Sequence, residues 1–222
     1  MVWLYSHPDL VDPDNLNGFD RIFCASADFA PTLRAMGYEN VEIMYACTSK
    51  RPVGAPVSRD VIFLGNARGR RSDGRSIVGH VGHPDFDFKV WGHRWEAILP
   101  AKYYGGPYWP YQKLEELYAS ARITLNDHHP DMAREGFVSN KVFDILASGG
   151  FVISDGNTGL QRLFGEAVPQ YESPGHLLDL IQYYLNHPRR RDRLRRQGRA
   201  IALKHTYRDR AIRFLHGIRP EV

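Results

Sequence analysis

The sequence predicts an α/β fold, a doubly wound parallel sheet preceded by a partial β-α-β unit. Three observations carry this expectation. Short apolar runs at 61–64, 86–91, 122–125 and 151–154 read as buried strands, and helical segments separate at least the later ones. Each run ends in polar or glycine-rich residues, as strands do at the carboxyl edge of such a sheet. The stretch EGFVSNKVFDILASGGFVISD, residues 135–155, reads as a loop, a capped helix and a buried strand in immediate succession.

Taken in order, residues 2–5, 21–24 and 41–45 are short buried strands, and a helix over about 27–36 ends at Gly37 between the last two. Some 47 residues cannot bury both faces of a parallel sheet, so this unit is either the tail of a larger domain or leans on the remainder of the chain. TSKRPVGAPVSRD, residues 48–60, is a Pro-rich linker and a domain boundary. Leu114, Leu117 and Tyr118 give helical spacing over 111–120. In the segment 139–148 Ser139 is the N-cap, Val142, Phe143, Leu146 and Ala147 form one apolar face, and Gly149 and Gly150 stop the helix. Beyond it come a segment at 160–164, an edge segment near 168–171, and a helix over 174–186 with Leu177, Leu178, Ile181 and Leu185 on one face. Pro188 ends that helix, an arginine-rich helix runs to His205, and a last helix over 207–218 turns Ile212 and Leu215 inward.

Composition is that of ordinary globular material, with 43% hydrophobic and 24% charged residues and no apolar run near the roughly 18 residues of a membrane span. The first residues, MVWLYSHPD, lack a basic n-region and an adequate apolar h-region, so no secretory signal is expected and the cytoplasm is the expected location. Cys24 and Cys47 each close an apolar run without metal-ligand spacing, which points to buried, reduced thiols. The formal charge of +4 permits an anionic ligand without demanding one, and much of the excess lies in RRRDRLRRQGR at 189–199.

Ligands of open parallel sheets bind outside the carboxyl ends of the strands. The first strand of the main series delivers Gly65, Asn66 and Arg68 there; the second Gly92, His93 and Arg94; the third Asn126, Asp127 and His128; the fourth Asp155, Gly156 and Asn157. Asn140 and Lys141 open the central helix beside free N–H groups and the positive end of its dipole, which suits a phosphate. Asp144 lies one turn inside on the same side as Lys141, so cation and carboxylate could serve a diphosphate and a ribose hydroxyl together. The plainer account is a helix mouth with a surface ion pair three residues apart.

The segments VIFLGN, FKVWG, YYGGPYWPYQKLEELYASARITLN, SNKVFDILASGGFVISD and KHTYRDRAIRFL resemble the C-terminal domain of GT-B-fold glycosyltransferases, most closely the CgeB-like, spore-maturation-protein branch. The resemblance covers roughly 61–215, and FDRIFCAS with LRAMGYENVEIM is similar to the end of the family's N-terminal, acceptor-side domain. The organisation it implies is 1–47 as the remnant of that acceptor-side domain, 48–60 as the linker, 61–205 as a Rossmann-like donor-binding domain and 206–222 as a C-terminal helix. It also implies a nucleotide-diphosphate-sugar donor and no obligatory metal or other cofactor. Many related retaining enzymes carry two acidic residues eight positions apart at this helix, the second on the ribose. Asp144 matches the second; the first falls on Gly136, with Glu135 one residue away. Lys141 stands where the CgeB-like pattern commonly has arginine, which keeps the charge and loses the bidentate fork. Without a metal, the charge that builds on the leaving diphosphate must be met by fixed cations and N–H dipoles. Lys141, Arg68 and the helix mouth are the candidates, Glu135 is the candidate acid, and His93 and Arg94 lie where the base would be read.

Other readings compete. Asp127, His128, His129 and Asp131 could suggest a metal site, but adjacent histidines in extended chain point to opposite faces. The aromatic cluster around 103–111 could stack on a sugar, and packing is an equally good account. The 189–199 run could meet anionic lipid or nucleic acid; a solvated helix face is the preferred account, peripheral membrane contact stays open, and no nucleic-acid partner is expected. Two functions from different classes therefore stand: a glycosyltransferase acting on a sugar, lipid or protein acceptor, with a partner chain or longer parent completing the acceptor side, and a non-catalytic nucleotide-sugar-binding or interaction module.

Overall fold

The computed structural model describes residues 1–68, 76–82 and 84–218. Its first unit is a three-stranded parallel sheet in the order β1 (Val2–Leu4), β2 (Ile22–Cys24) and β3 (Val41–Ile43), with α1 (Ala30–Ala35) between the last two. The second begins with β4 (Arg59–Leu64), α2 (Ser76–Val81), β5 (Phe88–Trp91), β6 (Tyr104–Gly106), α3 (Leu114–Ser120) and β7 (Ala121–Asn126). It continues through α4 (Pro130–Arg134), α5 (Asn140–Ala147), β8 (Val152–Asp155), α6 (Thr158–Phe164) and β9 (Gln170–Tyr171). Three helices complete it, α7 (Pro174–Asn186), α8 (Pro188–Ala202) and α9 (Tyr207–Ile218).

Among the described residues, every strand pairing of the larger sheet is parallel, in the order β6-β5-β4-β7-β8-β9. Strand order therefore reverses between β4 and β7, the place at the carboxyl edge where open α/β sheets form their ligand crevice. Alternate residues explain the two helical layers. Ile62 and Val152 face α3, α5 and α6, whereas Val61, Phe63, Phe151 and Ile153 face α2 and α7. A strand buried on both faces must be apolar at every position, which is why these runs do not alternate.

The small unit leans on the large one. Met132 and Phe137, from α4 and the turn after it, are buried in the same cluster as Ile22, Phe29, Leu33 and Val41. The last helix returns to it as well: Phe214 packs against Phe23 and Trp3, with ring centroids 4.7 and 6.2 Å apart, and Arg210 donates to the carbonyls of Tyr45 and Ala46. That orientation corrects the sequence expectation for this helix. Ile212 and Leu215 are 41% and 58% exposed, because Arg210 and Phe214 occupy the packed face. Leu178 of α7 is likewise exposed, whereas Leu177, Ile181 and Tyr184 are buried. Cys24 and Cys47 are buried free thiols. No helix among the described residues is long and apolar enough to cross a membrane.

The chain crosses between the units twice, and the two crossings meet at Thr48. Its N–H donates to the His205 carbonyl, it bridges to Thr206, and its Oγ1 donates to Asp144 Oδ1 at 2.5 Å. Burial pushes the Asp144 carboxyl up to about 6, against the lowering influence of Thr48 and Lys50. An unfolded aspartate titrates near roughly 3.9. The native state thus binds this proton more tightly than the unfolded chain, so the stabilisation from the protonated form is full below about pH 4 and is lost as pH rises through about 6. Asp144→Asn removes this titration. In urea unfolding, the stability of Asp144→Asn relative to the parent should increase by about 2 to 3 kcal/mol between pH 4 and pH 7. An unchanged difference across that range would mean that the carboxylate is solvated.

Candidate functional site

α5 is the element around which the carboxyl edge is assembled. Ser139 caps it, its Oγ accepting from the Lys141 N–H at 3.3 Å, and Gly149 closes it with φ 90°. Its position is set by His128, at the end of β7. The buried imidazole meets Asp155 Oδ1 through Nδ1 at 2.6 Å, while its Nε2 accepts the backbone N–H of Ser139 at 3.1 Å. A nitrogen that accepts from a backbone N–H carries no proton, so the proton sits on Nδ1 and is donated to Asp155. Asp155 Oδ2 also accepts the His128 N–H at 2.8 Å, and Ser154 Oγ donates to Oδ1 at 2.9 Å. Burial by itself would raise the Asp155 carboxyl, but the bonds from His128 and Ser154 outweigh it and hold it below the usual carboxylate range.

The crevice between β4 and β7 is lined from both sides. Arg68, just past β4, donates through Nη1 to the His128 carbonyl at 2.8 Å and lies 3.9 Å from Asp127 Oδ2. Lys141 reaches inward from α5: its amine is buried and stands 5.0 Å from the centroid of the Phe63 ring. Phe63 faces the layer opposite α5, so the lysine side chain passes over the carboxyl end of the sheet to meet it. Arg68, Lys141 and the mouth of α5 are thus brought to one crevice.

The loop after β4 is knitted to the loop after β5. Gly65 receives the Trp95 indole N–H on its carbonyl at 2.6 Å, and Asn66 Oδ1 accepts the His93 N–H at 2.9 Å. Gly92 has φ 144°, and a Cβ there would come within 2.3 Å of the Gly65 carbonyl oxygen, so only glycine permits this approach. The side chains of His93 and Arg94 are exposed at that end, Arg94 with φ 72°.

Not every sequence candidate faces the crevice with its polar group. Asn126 is fully buried and donates its amide to Ser154 Oγ. Asp155 spends both oxygens on His128. Asn157 caps α6 and ties the Phe137 carbonyl. Glu135 ends α4 and pairs with Arg134 Nε at 3.0 Å. Asp144 points to Thr48, away from the direction taken by Lys141. Tyr103, from the aromatic cluster, is a core residue packed on Phe88, whereas Tyr108 and Tyr111 are exposed and Trp109 meets Trp91 edge-on at 5.3 Å.

Sequence reasoning misses Asp28. Its carboxylate bonds Thr158 Oγ1 and takes Arg162 Nη2 at 2.5 Å, and the Arg162 bond holds its carboxyl below the ordinary value. Gly136 has φ 67°, and a Cβ there would meet Asp28 Oδ2 at 2.2 Å. The space a side chain at position 136 would take is therefore filled by an acid from the other unit. Nothing local marks Asp28, which is 108 positions before Gly136 in the chain.

Solved structures with this arrangement share little sequence with it. Sucrose-phosphate synthase from Thermosynechococcus elongatus superposes with a TM-score of 0.71 at 14% identity, over 96% of this chain and 63% of that one. Anabaena HepE, solved with UDP and glucose, gives 0.68 at 13% identity over 92% and 67%. Phage T4 BGT, in complex with its UDP-glucose substrate, gives 0.57 at 15% identity over 83% and 58%. The chain thus spans about three fifths to two thirds of the length of these structures, and the likeness establishes a GT-B-type fold with a Rossmann-like sheet. A comparison with curated proteins gives no match. The profile of the family described as glycosyl transferase-like matches residues 70–216, two thirds of the sequence, and the chain belongs to that family.

Proposed function

We propose that this chain is the donor-binding part of a glycosyltransferase that transfers a glycosyl group from a nucleotide-diphosphate sugar, and that it belongs to the CgeB-like branch. The observation that carries the reading is the meeting of Arg68, Lys141 and the capped mouth of α5 at the point where strand order reverses. An anion at this place gains two fixed cations and N–H groups that need no reorganisation. The structures of HepE with UDP and glucose and of BGT with UDP-glucose support the donor class.

In this reading Arg68 and Lys141 hold the diphosphate and meet the charge that develops when the bond from sugar to phosphate breaks. His93 and Arg94 stand beyond β5 to stack on or bond the base. Asp144 takes the ribose hydroxyls, and Glu135 serves as the acid nearest the sugar. No metal is required for binding, because the cations and the helix mouth supply the countercharge. The three-stranded unit is the end of the acceptor-side domain, and the acceptor is a sugar, lipid or protein bound with the help of residues outside this chain. If nucleotide binds but no glycosyl group moves to any acceptor when a complementary domain is present, the chain is a binding module.

Calorimetry with uridine, guanosine and adenosine diphosphates should show saturable binding of at least one of them in the presence of chelator. Hydrogen bonds to charged groups contribute roughly 1.5 to 3 kcal/mol, so Lys141→Ala should weaken that binding by about 10- to 150-fold while circular dichroism stays unchanged. Parental affinity in a folded Lys141→Ala would make α5 purely structural.

The arginine-rich helix should behave differently. α8 packs against the far side of α5: Gly198 lies against Leu146, and Arg195 Nη1 donates to the Gly149 carbonyl beyond the carboxyl end of α5. At 1.5 Å per residue an eight-residue helix puts its mouth roughly 12 Å from that end, about the screening length at ordinary salt. Replacing Arg190, Arg193 and Arg196 together with glutamine should leave nucleotide affinity within about threefold in the same titration; a larger loss would place this face at the ligand.

A further inference from the structure

Two of the three His-Pro-Asp tripeptides in the sequence, 7–9 and 129–131, meet where the N-terminal segment touches α4. Each histidine stands directly before the proline that opens a short helix, a 3-10 turn at Pro8–Leu10 in one case and α4 in the other. The two rings lie 4.3 Å apart between centroids, edge to face. His7 Nδ1 is 3.5 Å from Asp131 Oδ2. A ring nitrogen from each histidine and a carboxylate oxygen of Asp131 all fall within 4.8 Å of one another.

Ligands about 2.0–2.2 Å from a tetrahedral zinc ion are roughly 3.3 Å from each other. The His7–Asp131 edge already has that spacing, and modest side-chain rotation closes the rest. Asp131 is aimed by a second bond. Its Oδ1 accepts the Met132 N–H at 2.9 Å, which leaves Oδ2 turned to His7, the outer-shell support that metal ligands commonly have. His7 itself is held at φ 51° and ψ 63°, although a residue before proline is driven towards extended backbone. Strain of this kind persists where a side chain must be directed. Arg134, the cation on α4, is engaged by both Asp9 and Glu135. The His7 side chain is 38% exposed, so an ion can enter.

We propose that His7, His129 and Asp131 form a binding site for a divalent transition-metal ion, which clips the N-terminal segment to α4. Two imidazole nitrogens and one carboxylate oxygen suit zinc and its neighbours in the first transition row, whereas magnesium and calcium prefer oxygen alone. His128 takes no part, because both of its nitrogens are engaged with Asp155 and Ser139. None of the three ligands belongs to the set assigned to the diphosphate, so the proposal stands or falls separately from the nucleotide reading.

The test is calorimetric titration of the chelator-stripped chain with zinc chloride, accompanied by thermal unfolding. One zinc ion per chain should bind, the melting temperature should rise on its addition, and magnesium chloride should do neither. Asp131→Asn keeps the shape and the acceptor for Met132, and it should weaken zinc binding at least tenfold, as should His129→Ala and His7→Ala. The exposed His187→Ala serves as the control and should bind zinc as the parent does. If His7→Ala fails to fold, the other two variants decide. Absence of saturable zinc binding, or parental affinity in both Asp131→Asn and His129→Ala, overturns the proposal and leaves a plain His7–Asp131 ion pair.

Discussion

The carboxyl edge of the sheet depends on one buried imidazole. His128 joins the end of β7, the end of β8 and the first residue before α5 through three bonds of 2.6 to 3.1 Å made by its ring and its own N–H. Each partner is needed by the others. Without the ring, the Ser139 N–H would lose its partner and Asp155 Oδ1 would keep only the Ser154 hydroxyl, and leaving a partly buried donor unpaired costs more than a normal hydrogen bond contributes. The network therefore fixes the axis of α5 relative to the strands, and with it the direction of the dipole and of the free N–H groups at its mouth. A diphosphate site needs that fixed direction more than it needs any single contact, since preorganised dipoles act only if they do not have to turn.

A second constraint governs the relation between the two sheets. The contacts across it differ in kind: Phe29 and Phe137 pack in one core with ring centroids 5.7 Å apart, while Asp28–Arg162, Arg213–Glu42 and Arg134–Asp9 are partly exposed ion pairs. Exposed pairs contribute about 0 to 1 kcal/mol each, so the apolar patch supplies most of the adhesion and the polar pairs set the orientation. Thr48 is where both crossings of the chain are tied, and its bond to Asp144 couples that tie to the middle of α5.

Much of the fold was legible because buried parallel strands are short and continuously apolar, and because Ser139 and Gly149 bracket α5 with unambiguous caps. What escaped was short or distant. α2 and α4 have six and five residues, too few to show a helical period, and β6 carries two glycines. The face of α9 defeats a hydrophobic pattern because Arg210, a charged residue, goes inward to two backbone carbonyls while Ile212 goes out. In the candidate site, Gly65, Arg68, Asn140 and Lys141 could be found from strand ends and a helix mouth. The His128–Asp155 bond spans 27 positions and the Asp28–Thr158 bond 130, and neither leaves a local mark. The same holds for His7, whose neighbour His129 becomes informative only once the two loops are side by side.

The inward position of the Lys141 amine bears on how such a site would work. Over the face of Phe63 it has an attraction that compensates part of the loss of water, on the order of 0.5 to 2 kcal/mol for a cation over an aromatic ring. A diphosphate at the mouth of α5 would add a charge-assisted bond of roughly 1.5 to 3 kcal/mol, beside the N–H groups of the same helix turn. The Phe63 ring thus holds the amine over the carboxyl end of the sheet, where in the proposed site it would stand in place for a diphosphate. Such an arrangement would keep the positive charge near the anion without holding it in bulk solvent, and it suits a lysine, whose compact charged head on a long apolar stem can lie over a ring and at the sheet end together.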